Sequence, residues 1–102
     1  MKSKRLPPSD RKAALLECAL GLATTGHYAQ VTRAAIATAA GVSPGLVSTY
    51  LGTMPNMRRL VMRAAVKTRN LAVVGQGLSA GDRYAKAAPG ELRSAAAARL
   101  AG

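Results

Sequence analysis

TRAAIATAAGVSPGLVSTYL, residues Thr32 to Leu51, decides how this chain is organised. Thr32 can cap a helix in which Ile36, Ala37 and Ala40 fall on one face. Gly41 stops that helix and Val42 anchors the turn. Ser43 caps a second helix, with Pro44 in its first turn, where a missing amide costs nothing. Val47, Tyr50 and Leu51 form the inward side of the second helix, and Gly52 ends it. Two short helices joined this tightly need a small residue where they cross, a turn residue without a side-chain penalty, an apolar plug after it, and an apolar residue to close the pair. Ala37, Gly41, Val42 and Val47 meet those four needs together.

Around this stretch the charge is one-sided. The 102 residues hold fifteen Lys and Arg against four carboxylates, a net charge of +11. The carboxylates are Asp10, Glu17, Asp82 and Glu91, so none lies between Glu17 and Asp82. A surface with so little internal neutralisation favours a polyanion: nucleic acid first, an anionic membrane second, an acidic protein third. Aromatics are 3 % of the chain, Tyr28, Tyr50 and Tyr84, which argues against modules that stack single-stranded bases. Four carboxylates and one isolated histidine, His27, offer no acid–base pair, so an enzyme is not expected. The single Cys18 excludes an intramolecular disulfide and a cysteine zinc site, and no cofactor or metal is expected. The chain has no apolar run of membrane-spanning length, and Pro7, Pro8, Ser9 and Asp10 interrupt any signal-like core, so a reducing cytoplasm is the expected setting.

The flanks read as helices. Hydrophobic residues are 49 % of the chain, many of them Ala, which suits close-packed helices better than a sheet. Residues 1–8 carry Lys4 and Arg5 in a basic arm suited to phosphates or a minor groove. Ser9 or Pro8 starts a first helix, capped by Ser9, with Leu15, Cys18, Ala19 and Leu22 on one face. Gly26 in a left-handed conformation is expected to end it, with Tyr28 packing on its end. Thr53 caps a fourth helix carrying an apolar row of Met57, Leu60, Val61, Ala64, Thr68 and Leu71, and a separate row of Arg59, Arg63 and Lys67. Gly75, Gln76, Gly77, Gly81 and Asp82 are read as a break. One or two short helices follow, the last with Leu92, Ala96 and Leu100 on a narrow apolar side that must dock on this chain or on a copy of it. The division expected is an arm over 1–8, a helix-turn-helix domain over 9–74 and a dimerisation segment over 75–102.

Residues on both sides of the central stretch add a resemblance. Leu15 to Leu22 with Gly26-His27-Tyr28, then Thr32, Ile36-Ala37, Gly41-Val42-Ser43 with Gly45, and Tyr50-Leu51-Gly52-Thr53 resemble the DNA-binding domain of the tetracycline-repressor (TetR) family. The resemblance runs from about Arg11 to Leu60. It implies an all-α fold: a TetR-like or homeodomain-like three-helix unit plus a fourth helix, completed here by the short C-terminal helices. It also implies a sequence-specific double-stranded DNA-binding regulator, a repressor acting as a homodimer on an inverted repeat. The departures are Ala34 where the family often has Arg, Ser48 for a phosphate-gripping Tyr, and Met54 for the usual Lys. Only about forty residues follow Leu60, which implies a compact regulator of plasmid or phage type without a small-molecule inducer.

On that reading the second helix of the pair enters the major groove. Base contacts are expected from Pro44, Gly45, Leu46, Ser48 and Thr49, with Arg33 adding one from the preceding helix. Phosphate contacts are expected from Lys4, Arg5, Thr32, Ser43, Tyr50, Thr53, Arg58 and Arg59. The reading helix carries no Arg, Asn or Gln for bidentate base contacts, so discrimination per subunit is modest and two subunits are expected to share it. The alternative is a basic helical adaptor or inhibitor that binds an acidic protein.

Overall fold

The structure, a computed structural model, describes residues 8–101, and side chains over 10–100; Lys4 and Arg5 of the expected arm lie outside them. The fold is all-α. Seven helices and one 3₁₀ turn, Tyr28–Gln30, make up the described residues, with no strand. The helices are α1 (Pro8–Thr25), α2 (Arg33–Ala40), α3 (Pro44–Leu51), α4 (Met54–Lys67), α5 (Leu71–Ala80), α6 (Arg83–Lys86) and α7 (Gly90–Ala101). None is long and apolar enough on its own to cross a membrane.

The boundaries follow local chemistry. Thr32, Ser43, Thr53, Asn70 and Asp82 each accept a backbone N–H from the first turn they precede. Gly41 ends α2 at φ 71°, ψ 35°, the left-handed conformation that closes a helix most cheaply on glycine. Gly52, at φ 74° and ψ −149°, occupies a region open to glycine almost alone, and it swings the chain from α3 into α4.

Three boundaries differ from expectation. Pro8, one of the two expected starts, begins α1, so Ser9, expected as the cap, lies inside the first turn. Gly26 is not left-handed; a Cβ there would meet the Leu22 carbonyl oxygen at 3.2 Å, so its role is close approach. Helix α4 stops at Lys67, short of the expected Leu71. Arg69 turns the chain at φ 58°, while Asn70 donates back to the Ala65 carbonyl and caps α5.

The expected break at Gly75-Gln76-Gly77 is absent. These residues lie inside α5, which runs on to Gly81. Both glycines are buried, and packing explains them. A Cβ on Gly77 would stand 2.7 Å from the Ala85 Cβ and 2.5 Å from the Met62 Cε. A Cβ on Gly75 would stand 3.2 Å from Leu100. Glycine here serves helix contact: Gly77 lets α5 approach α4 and α6, and Gly75 lets α7 approach α5. The boundary expected at residues 74 and 75 therefore falls within one helix.

Helix α1 lies against α2, α3, α4 and α5, so its Leu15, Ala19 and Ala23 sit at the centre of the core. Ile36 and Ala37 of α2, Val47 and Leu51 of α3, and Met57, Val61, Met62 and Ala65 of α4 close around them. The inward row of α4 is thus rotated toward Met62 and Ala65, with Leu60 and Ala64 only half-buried. Cys18 is half-buried against the same core. No polar side chain is buried among the described residues. The many small contacts let helix axes come close, which compensates for the lack of large aromatics.

Helix α7 buries Leu92 and Ala96 and packs chiefly on α5. The choice between docking on this chain and on a copy is therefore made within the chain. Leu92 and Ala96 of the narrow apolar row are buried in the fold, and Leu100 is left 52 % exposed. Gln76 fastens this half to the first. Its Nε2 donates to the Ala23 and Gly26 carbonyls at 2.8 and 3.1 Å, and its Oε1 accepts the Tyr28 amide at 2.8 Å.

Candidate nucleic-acid interface

Helices α2 and α3 are joined by Gly41-Val42-Ser43 and meet at 109°. Val47 and Leu51 anchor α3 to the core. Opposite them, Gly45 and Thr49 are exposed one turn apart, with Pro44 exposed at the start. Leu46, Ser48 and Tyr50 are half-buried on the flanks; Tyr50 leans on the core. The five α3 residues expected to read bases thus share a helix only two turns long, and its outermost ridge is Gly45 and Thr49.

That ridge has two properties the sequence did not show. The Thr49 hydroxyl donates to the Gly45 carbonyl at 3.0 Å, so its proton is engaged and its oxygen is left to accept. Gly45 has no packing reason to be glycine: an added Cβ would meet nothing closer than the Ser43 Oγ, at 3.9 Å. Gly45 is the second residue of α3, with negative φ, so the backbone does not call for glycine there either. A bare backbone on an exposed ridge lets another surface approach closely.

The expected phosphate residues among the described ones are the caps of α2, α3 and α4, Tyr50 on α3, and Arg58 and Arg59 on α4. Thr32, Ser43 and Thr53 are exposed at three helix starts; their hydroxyls accept the amides of Ala35, Leu46 and Asn56 at 3.1, 3.2 and 3.3 Å. Each cap satisfies one first-turn amide; Pro44 and Pro55 have none, so Arg33 and Ala34 in α2, Gly45 in α3 and Met54 in α4 keep first-turn amides that an anion can use. Arg33 is half-buried in the first turn of α2.

Arg58 and Arg59 belong to α4. Arg59 is exposed and donates to Asn56 Oδ1 at 3.2 Å. Arg58 is half-buried and lines a groove of about 420 Å³ with Tyr28, Arg59, Arg83 and Tyr84. In that groove the Tyr28 hydroxyl donates to Asp82 Oδ2 at 3.2 Å. Burial raises the Tyr28 phenol above its usual value; the Asp82 charge and the hydrogen bond to it add to this, and Arg58 opposes it. His27 is structural: its Nδ1 accepts the Ala29 amide at 3.1 Å, and its ring stacks on Tyr28.

Asn56, Gln76 and Arg83 were not among the expected site or scaffold residues. Asn56 donates to the Leu51 carbonyl at 2.9 Å, tying the end of α3 to α4. Its position three residues after Thr53 was the available signal. Gln76 sat in a run that reads as a break, and Arg83 joins the groove only through tertiary packing. No three His, Cys, Asp or Glu side chains cluster among the described residues. Comparison with family models, characterised proteins and solved structures finds no match to this chain.

Proposed function

We propose that the chain is a sequence-directed double-stranded DNA-binding regulator in which α3 enters the major groove. The observation that carries this is the ridge of α3: short, exposed side chains around a glycine that packing does not require. Two supports stand beside it. The 109° angle of α2 and α3 falls within the range of DNA-binding helix pairs. The stretch between Glu17 and Asp82, which holds α2, α3 and α4, carries no carboxylate, so phosphates meet little repulsion there. The residues that resemble tetracycline-repressor domains point the same way, and membership of that family is part of the proposal.

On this reading Thr49, Ser48, Leu46 and Pro44 read base edges, with Gly45 admitting the groove wall and Arg33 adding a contact from α2. The free amides beside Thr32, Ser43 and Thr53 hold phosphates. Few strong base contacts per subunit favour a homodimer on an inverted repeat, acting as a repressor by occupancy and drawn to the nucleoid by its DNA. Since Leu92 and Ala96 are used within the chain, a dimer in the segment from Leu71 to Leu100 would use what they leave, such as the edge around Leu71, Ala72 and Leu100.

A mobility-shift titration against DNA upstream of the protein's own gene, with scrambled competitor, tests the reading. Thr49→Ala and Arg33→Ala are expected to weaken the specific complex and leave nonspecific binding nearly unchanged. Equal loss on every sequence would refute the base-contact assignment. If a dimer contacts six phosphates, affinity falls about a thousandfold between 50 and 200 mM salt.

A second reading, an adaptor for an acidic protein, is favoured by one feature. An open cleft lined by Val66, Tyr84, Ala87 and Pro89 lies between Arg63 and Lys67. Pull-down of an acidic protein that survives salt and competing DNA would favour it.

A further inference from the structure

We propose that the groove between α4 and α6 is a phosphate-binding site. Arg58 and Arg59 from α4 and Arg83 from α6 line it together, with Tyr28, Asp82 and Tyr84. Three arginines thus line one groove with one carboxylate, and that carboxylate is engaged. Asp82 Oδ1 accepts the amides of Tyr84 and Ala85 at 2.9 and 3.1 Å, and its Oδ2 accepts the Tyr28 hydroxyl at 3.2 Å. The one ion pair among the described residues, Arg69 with Glu91, involves none of them. The single side-chain bond of Arg59, to Asn56, leaves most of its five N–H groups free. The Tyr84 hydroxyl has no hydrogen-bond partner among the described residues and can donate as well.

Like charges gathered this way repel until an anion enters. A phosphate accepts donors from several directions and pairs bidentately with guanidinium, which suits three arginines better than a planar carboxylate does. The rest of the basic row is less suited. Arg63 lies over the Tyr84 ring at 6.0 Å, and Lys67 is exposed about a turn beyond it. The groove also includes Pro55, in the first turn of α4, so a nucleic-acid strand passing Thr53 could place a backbone phosphate there. A phosphorylated small molecule offers the same chemistry. The site does not depend on the α3 reading.

The test is an amide NMR titration of the full chain with inorganic phosphate at constant ionic strength. The expected result is saturable shifts confined to Arg58, Arg59, Arg83, Tyr84 and their neighbours. Arg83→Gln, an exposed substitution, should weaken binding about fivefold or more, as loss of a charge-assisted pair implies. Lys67→Gln removes the same charge outside the groove and should change binding less than about twofold. Absence of saturation, or equal weakening by both variants, overturns the site. The source of the phosphate is read from duplex DNA. If Arg83→Gln lowers the salt slope by about 1, the phosphate belongs to the DNA backbone. An unchanged slope with intact phosphate binding assigns it to a free phosphorylated compound. Failure of duplex binding with intact phosphate binding defeats the α3 reading and leaves this site standing.

Discussion

Gly77→Ala is the substitution that most sharply separates a packed glycine from a helix-breaking one. Gly77 lies inside α5, where alanine is favoured over glycine by about 0.5–1 kcal/mol in a helix interior. Packing opposes that gain. The new Cβ would stand 2.7 Å from the Ala85 Cβ, which cannot rotate away, and 2.5 Å from the Met62 Cε, which can. Relief therefore requires α6 to shift on α5, and overpacking of this kind costs about 1–3 kcal/mol. The net expectation is a loss of about 1–2 kcal/mol, a fall in Tm of several degrees for a chain of this size. Gly21→Ala supplies the reference. Gly21 is also helical, and its added Cβ meets nothing within 4 Å, so it should gain about 0.5–1 kcal/mol. Urea unfolding followed by circular dichroism measures both. If Gly77→Ala proves as stable as Gly21→Ala, the contact of α5 with α6 is not as described.

Three further outcomes follow from the same structure. Gly45→Ala should change thermal stability by no more than about 0.5 kcal/mol, since Gly45 is in the first turn of α3 and its added Cβ meets nothing, while weakening the specific DNA complex in anisotropy titrations because the ridge loses its bare backbone. Gln76→Glu should cost about 2 kcal/mol in urea unfolding, since a carboxylate cannot donate to the Ala23 and Gly26 carbonyls and places an anion against them. Tyr28 makes the alkaline limb of stability testable. Its phenol is raised in the folded chain, so its stabilising contribution is complete below the unfolded value of about 10 and is lost as pH rises through the folded value. Tyr28→Phe should lose about 1 kcal/mol at neutral pH and then fall less steeply than the parent above about pH 10 in pH-dependent unfolding.

The first half of the fold was legible because its signals are local. Thr32, Ser43 and Thr53 cap within three residues, and Gly41 and Gly52 end helices by their own backbone freedom. Ile36, Ala37, Val47 and Leu51 keep helical spacing and are all buried. The second half was less legible because its signals are tertiary. Gly75 and Gly77 read as a break in isolation, yet Leu100, Ala85 and Met62 require them small. Arg69 turns the chain where a glycine would be expected. The exposed ridge of α3 was visible in outline, since Val47 and Leu51 fix which side faces away. The Thr49 back-bond and the packing-free Gly45 were not visible, since both depend on coordinates. Arg58 was named from its place in α4, but its neighbours Arg83 and Tyr28 come from distant segments that only the packed chain brings together.

The proposed reading of duplex DNA by α3 is tested by selection from a random duplex library at 150 mM salt. The expected result is enrichment of a motif with two inverted half-sites, and loss of that enrichment with Thr49→Ala and Arg33→Ala together. Recovery of duplexes with no common sequence, bound equally by the doubly substituted chain, would contradict it.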